Sequence, residues 1–385
     1  MMPAPGVRFD ELTICGDGRI GVARLDAPRS LNALSLEVIH LLESRLDAWA
    51  LDPQILAVWL EGGGDKAFCA GGDVVALHDS LVEEDKAAVY PRQGGFAATY
   101  FAAEYRLDYR IHRYAKPILV WGDGIVMGGG LGLMVGASHR LVTETSRIAM
   151  PEITIGLFPD IGATWFLNRM PPGIGAYLGL TGAQLNGRDA LDLGLADAFV
   201  PRGNRDSLLA ALTEADVGSH SARDVRLAIQ RTMDDVEDRS GAPAPQVWPH
   251  LDHLQHLVGR VDPILAVERI LEDGSDDAWL TANRARLAAG CPMSAHLVLR
   301  MLERHRHVGL AEALRNELSL SVQCGLLGDV REGVRALLID KDRAPRWQHE
   351  SVAAVPEADI QALMSPLWSK EANPLRDLGA DNRPG

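Results

Sequence analysis

An α/β core over residues 1–203, a helical region over 204–345 and an extended tail over 346–385 are what this sequence predicts. Three observations carry the prediction. Apolar runs of strand length alternate with helix-period segments up to about residue 200. From Asp206 onward the apolar residues recur almost wholly at helical spacing. The tail and its approach hold Pro345, Pro356, Pro366, Pro374 and Pro384, which suits a segment that wraps the surface or frays.

Composition bounds the function. The chain has 385 residues, 47% of them hydrophobic, enough for a large core. No apolar run reaches the roughly 18 residues that a membrane span needs. The opening MMPAPGVRFDEL lacks the basic flank and apolar centre of a signal peptide, so a cytoplasmic protein acting away from membranes is expected. A net charge of −14, from 52 acidic and 38 basic residues, disfavours nucleic acid as a partner, although a local basic patch can still hold a phosphate-bearing group. Cys15, Cys69, Cys291 and Cys324 form no CxxC pair, which fits a reducing compartment. His250, His253 and His256 recur every three residues, but no Cys or acid completes a metal set, so a partly exposed helical face is expected.

Residues 7–25 read as a hairpin around Gly16-Asp17-Gly18. Ser35 is placed to cap a helix running to about Ala50, with Leu36, Ile39, Leu42, Leu46 and Trp49 on its apolar face. Ile55 to Leu60 is a short strand, followed by EGGGDKAFCAGGDVVAL, in which Gly71-Gly72 precede a helix. Residues 78–107 turn from acidic (Glu83, Glu84, Asp85) to aromatic (Tyr90, Phe96, Tyr100, Phe101, Tyr105) and read as helices over the sheet. Pro117 to Trp121 is a buried strand, Gly128-Gly129-Gly130 a turn, Leu131 to Ala137 the start of a helix and Arg140 to Thr143 a strand. Residues 173–180 look helical, Thr181 can cap, Gly187 breaks, Ala190 to Leu195 is a short helix, and a strand follows at Ala198 to Val200. Beyond the core, helices are expected near 206–235, 263–271, 276–289, 294–305, 309–323 and 329–339.

Twice, then, an apolar strand leads through a glycine turn into a helix. A glycine turn leaves its N–H groups open to a ligand, and a helix start gives them the positive end of the dipole. Two such turns can aim two donors from separate elements at one oxygen. Taken alone, the triple glycine equally reads as a flexible turn. A dinucleotide loop is disfavoured, because the G-x-G-x-x-G spacing is missing. Glu152, Asp160 and Glu104 are the acids of interest, with solvated charge as the ordinary alternative.

The segments SLNALS, KAFCAGGDV, GIVMGGGLGL and MPEITIGLFPD, in that order, resemble the crotonase (enoyl-CoA hydratase/isomerase) superfamily. GLFPDIG, LTGAQLNGRDALDLGLADAFV and VREGVRALLIDKDRAPRW make the chain most similar to its 3-hydroxyacyl-CoA hydrolases. The resemblance implies a spiral of β-β-α units. It implies hydrolysis of an acyl-CoA thioester, 3-hydroxyisobutyryl-CoA in valine breakdown being the expected substrate. The peptide N–H groups of Gly72 and Gly129 would hold the thioester oxygen, with Glu152 and Asp160 as the catalytic acids and Glu104 as a further substrate contact. Leu31, Ala33, Lys66, Ala70, Gly72 and Asp73 would line the coenzyme A groove. Coenzyme A is then part of the substrate, and no cofactor or metal is implied. Relatives often assemble through C-terminal helices, so the resemblance allows a homo-oligomer and fixes no number of subunits. One departure matters: hydratases carry a catalytic glutamate two residues after the triple glycine, and here that position is Gly132. The competing expectations are a hydratase or isomerase, and an acyl-CoA-binding protein without catalysis.

Overall fold

The structure, a computed structural model, describes residues 6–14, 18–86, 95–217, 221–259 and 262–380. Cys15, the turn residues Gly16 and Asp17, Tyr90, and the side chains of Glu84 and Asp85 lie outside the described residues.

Among the described residues, ten strands form two sheets. The larger holds β1 (Val7–Thr13), β2 (Arg19–Leu25), β3 (Ile55–Gly62), β5 (Ile118–Gly122), β7 (His139–Val142) and β10 (Ala198–Phe199), in the order β1-β2-β3-β5-β7-β10. The smaller runs β4-β6-β8-β9, from β4 (Ala67–Cys69), β6 (Ile125–Met127), β8 (Arg147–Ala149) and β9 (Leu185–Asn186). Among the described strands, only β1-β2 and β8-β9 pair antiparallel. The pairs β3-β4, β5-β6 and β7-β8 each leave one strand in the large sheet and one in the small sheet before a helix, which is the spiral of β-β-α units expected above.

The core helices are α1 (Leu36–Leu51), α2 (Val74–Lys86), α3 (Gly95–His112), α4 (Gly129–Gly136), α5 (Ala163–Phe166), α6 (Ile174–Thr181) and α7 (Gly187–Asp192). Ser35 does cap α1, accepting from the Val38 N–H at 3.2 Å, and Ile39, Leu42, Leu46 and Trp49 are buried as the spacing required, with Leu36 only half-buried. The near-continuous apolar runs of β3 and β5 follow from burial on both faces. Val58, Leu60, Ile118 and Val120 face the main core, whereas Trp59, Leu119 and Trp121 face a second apolar cluster under α8 (Arg205–Glu214) and α9 (Ala222–Val236).

The remaining helices are α10 (Leu251–Val258), α11 (Pro263–Leu271), α12 (Ala278–Ala289), α13 (Pro292–Arg304), α14 (Leu310–Leu327), α15 (Val330–Val334) and α16 (Glu357–Met364). Several expectations need correction. The helix read over 206–235 is two helices, since the chain leaves the helical path at Ala215 and Ser221 caps α9. Thr181 ends α6 rather than capping a helix, with left-handed Gly182 after it. Gly187 opens α7 rather than breaking the chain, because Asn186 and Asp189 form a capping box around it. The tail wraps the surface but is anchored: it carries α16, and Ile360, Leu363 and Leu375 are buried. One apolar core runs from Val7 to Leu378, so the C-terminal helices and the α/β core share it.

Candidate active site

The first glycine turn is built by pairing with the loop after β2. Leu34 donates to the Gly71 carbonyl at 2.9 Å and accepts from the Asp73 N–H at 3.0 Å. In that parallel bridge the N–H of the residue between, Gly72, points away from Leu34. Gly71 takes a φ of +115°, a region glycine occupies without strain. The Tyr100 hydroxyl fixes the same corner, donating to Leu34 O at 2.7 Å and accepting from Asp73 N at 3.0 Å.

The second turn is set by the small sheet. β6 pairs with β8 through Met127 and Ala149, and the Gly128 N–H reaches the Ala149 carbonyl at 3.3 Å. Gly128, at φ +50° and ψ −128°, turns the chain so that α4 starts at Gly129, two residues earlier than its apolar run suggested. The Gly129 N–H is therefore one of those a helix start leaves without an intrahelical partner. Gly72 N lies 3.4 Å from where a Cβ on Gly129 would stand, so the two amides adjoin. Adjoining main-chain donors from two separate turns are what a two-donor oxyanion hole requires.

The same β6-β8 pairing delivers Glu152, because Met150 and Pro151 lead directly from β8 to it. Its Oε1 is 3.1 Å from the Cβ position of Gly128, and its Oε2 is buried without a hydrogen-bond partner. Glu104, on α3, presses against both glycines: its Oε1 is 3.4 Å from the Cβ position of Gly72 and would collide with a Cβ on Gly129. Asp160 follows the turn after Glu152 and accepts a short hydrogen bond from the Tyr105 hydroxyl. Tyr105 lies 2.7 Å from Ser321 Oγ, so α14 from the C-terminal region reaches the site.

The loop carrying Asp160 is strained and clamped. Ile161, a β-branched residue, sits at φ +55°, a costly conformation that the surroundings must impose. Glu317 of α14 imposes it, accepting from the Gly162 N–H at 2.6 Å, the Thr164 N–H at 3.2 Å and the Thr164 hydroxyl.

Glu104, Asp108, Glu152, Asp160 and Glu317 are all buried. Among the described residues, no Arg, Lys or His pairs with any of them. Burial therefore pushes each carboxyl up, and repulsion from neighbouring acids adds to it at Glu104, Asp108, Glu152 and Glu317. The shifts differ for a visible reason. Burial raises Asp160 to about 6, but the Tyr105 and Ser321 hydroxyls favour its anion. Glu152 lacks such donors; burial first, then the charge on Asp160, hold it well above the ordinary carboxylate range.

The expected groove residues also converge. Leu31 and Ala33 are half-buried, and the Leu31 carbonyl accepts from the Ala70 N–H at 3.0 Å. Asn32 locks the two segments together, donating to Gly63 O at 2.9 Å and Ala67 O at 2.8 Å. Lys66 is exposed at the edge. The Asp73 carboxylate caps α2, accepting from the Ala76 N–H at 3.0 Å, so what Asp73 offers the groove is its main chain. The histidines of α10 turn to acids: His253 lies 3.1 Å from Asp273, and His250 is 3.5 Å from Asp277.

Tyr105, Asp108, Glu317 and Ser321 were not singled out as site residues from the sequence. A signal existed for two of them. Glu317 and Ser321 are polar residues on the buried face of α14, at the helical spacing of Ala313, Leu314, Leu318 and Cys324.

A spiral of β-β-α units with paired main-chain donors beside a buried acid defines a class, and the comparisons agree with it. The sequence pattern of the enoyl-CoA hydratase/isomerase family matches residues 20–364, and the chain belongs to that family. Within it, a mitochondrial 3-hydroxyisobutyryl-CoA hydrolase of Danio rerio is 36% identical over 92% of this chain and 89% of its own length. The Homo sapiens protein of the same name is 33% identical over 94% of this chain and 90% of its own length. Among solved structures, an enoyl-CoA hydratase from Rhodobacter sphaeroides 2.4.1 superposes with a TM-score of 0.78 at 33% identity, covering 93% of this chain and 97% of that one.

Proposed function

We propose that this chain hydrolyses a 3-hydroxyacyl-CoA thioester, 3-hydroxyisobutyryl-CoA being the substrate of choice, to the free acid and coenzyme A. The observation that carries the reading is the missing glutamate at position 132: Glu152 stands beside the Gly128-Gly129 turn, and no glutamate can join it from position 132, which is Gly132. A Cβ on Gly132 would lie 2.8 Å from Asp108 Oδ1 and 2.9 Å from Ile161 Cδ1. Water addition by two glutamates is thereby disfavoured, while hydrolysis needs only one group to supply an electron pair.

In this reading the thioester oxygen lies between the Gly72 and Gly129 N–H groups, where charge develops as the carbonyl is attacked. Glu152 either attacks the carbonyl carbon to form a mixed anhydride or takes the proton of an attacking water. Asp160 binds the 3-hydroxyl or orients that water, and Glu104 contacts the acyl group from α3. The thiolate leaves along the groove lined by Leu31, Ala33, Lys66, Ala70 and Asp73.

A panel of acyl-CoA thioesters tests the assignment. Thiol release is expected from 3-hydroxyisobutyryl-CoA and 3-hydroxypropionyl-CoA, with little hydration of crotonyl-CoA. Brisk crotonyl-CoA turnover without thiol release makes the chain a hydratase or isomerase, and no turnover at all makes it an acyl-CoA-binding protein.

Both routes require an ionised base, so activity should fall as pH drops and the acids take up protons. The kcat/KM profile is expected to bend above the ordinary carboxylate range, because burial raises Asp160 to about 6 and raises Glu152 as well, rather than near 4.5. The limb belongs to the coupled pair. In Asp160→Asn it should move to lower pH, because the repulsion that helps raise Glu152 is gone. A limb near 4.5 in the parent enzyme contradicts a buried base.

A further inference from the structure

Asp108 is a buried carboxyl that the mechanism above does not use. It lies on α3, 5% exposed, with neither oxygen hydrogen-bonded. Leaving such a group unpartnered is costly, so a structure that retains one calls for an explanation. Glu104, Asp108 and His112 recur every four residues and share one face of α3. The first touches the oxyanion glycines and the last is exposed at the surface.

Between Asp108 and His112 lies a cavity of about 20 Å³, lined also by Gly132, Val135 and Trp165. That is room for one water, which needs roughly 10–15 Å³. His112, Val135, Gly136, Trp165 and Phe166 form a wall shared with a surface groove of about 470 Å³. The groove therefore adjoins the cavity at the face of α3 beyond Asp108.

We propose that Asp108, a water in this cavity and His112 form a proton route from the catalytic acids to bulk solvent. The inference rests on the hydrolase reading. In that reaction the C–S bond breaks, the sulfur leaves as a thiol with one proton, and the new carboxylic acid loses another. One proton per turnover must leave a site whose main opening is filled by coenzyme A. Glu104 hands it to Asp108, the water passes it on, and His112 releases it.

The charged surroundings suit the task. Asp108 faces Glu104, Asp160 and Glu317, with no cation among the described residues to hold it ionised. Burial and then those acids push its carboxyl well above the ordinary carboxylate range, which favours the protonated form that can donate as well as accept. Burial, with Arg113 and Arg169 nearby, keeps His112 below its usual value, and its ring stands edge-on to Trp165 at 5.4 Å.

Two measurements decide the matter. By infrared spectroscopy, the carboxyl band lost in Asp108→Asn should shift within the mixing time when the parent enzyme enters D₂O, and at least tenfold more slowly in His112→Phe. In thioester hydrolysis, Asp108→Asn should lose about tenfold or more in kcat, short of the 10²–10⁴ of a group handling the reacting proton itself. Its KM should stay unchanged, and small protonated buffers such as imidazole should restore the rate. Absence of the band, slow exchange in the parent, or a kcat loss that buffer does not relieve overturns the route. If the parent releases no thiol, the hydrolase reading fails, and the infrared exchange still reports on the route.

Discussion

Glu152→Gln is expected to lower kcat for thioester hydrolysis by roughly 10²–10⁴-fold, the range for a group that moves the reacting proton, and by more if Glu152 is the nucleophile. The fold should survive. The carboxyl is buried with one oxygen unpartnered, and the anion is already disfavoured there, so a neutral amide of the same shape removes little that holds the chain together. Thermal unfolding and coenzyme A release, measured on the same preparation, separate the two effects. Near-parental turnover by a folded Gln variant would take Glu152 out of the mechanism, whatever the family.

Gly129→Ala tests the other half of the chemistry, the pair of main-chain donors. Gly129 sits in the first turn of α4 at negative φ, so alanine is tolerated by the backbone. The new methyl would nevertheless meet Glu104 Oε1 and stand 3.4 Å from Gly72 N, in the space the thioester oxygen needs. A loss of 10²–10³ in kcat is expected, about 2.7–4 kcal/mol, the effect of removing one oxyanion donor. The double variant Gly129→Ala with Glu104→Ala discriminates between causes. If it recovers the parental rate, the damage came from the Glu104 collision, and the adjoining amides are not the oxyanion hole.

The contributions of sequence and tertiary structure divide along a physical line. Most elements long enough to repeat their own period were legible, although α16, two turns inside the proline-rich tail, was not. The capped helix α1, the strands β3 and β5 and the two glycine turns were placed to within about two residues; Glu152 and Asp160 were singled out by a segment that resembles the family, and Glu104, whose stretch FAAEYRLDY departs from the family pattern, by its place on the preceding helix. The small sheet was missed entirely. Its strands are two or three residues long, barely one period of the alternation that marks a strand, and β4, β6 and β9 lie beside glycines in stretches that read as loops. Yet β6 and β8 are what bring Glu152 to the Gly129 turn.

The sequence by itself determined which groups this protein has available: glycines that expose peptide donors, and the acids Glu104, Glu152 and Asp160. Only the tertiary structure decided what those acids do. Tyr105 meets Ser321 across 216 residues of chain, and Glu317 clamps Ile161 to Thr164 from the C-terminal region. A carboxyl's proton affinity depends on its solvent exposure and on which donors and charges surround it. Those neighbours are set by packing between distant segments, which local periodicity does not encode.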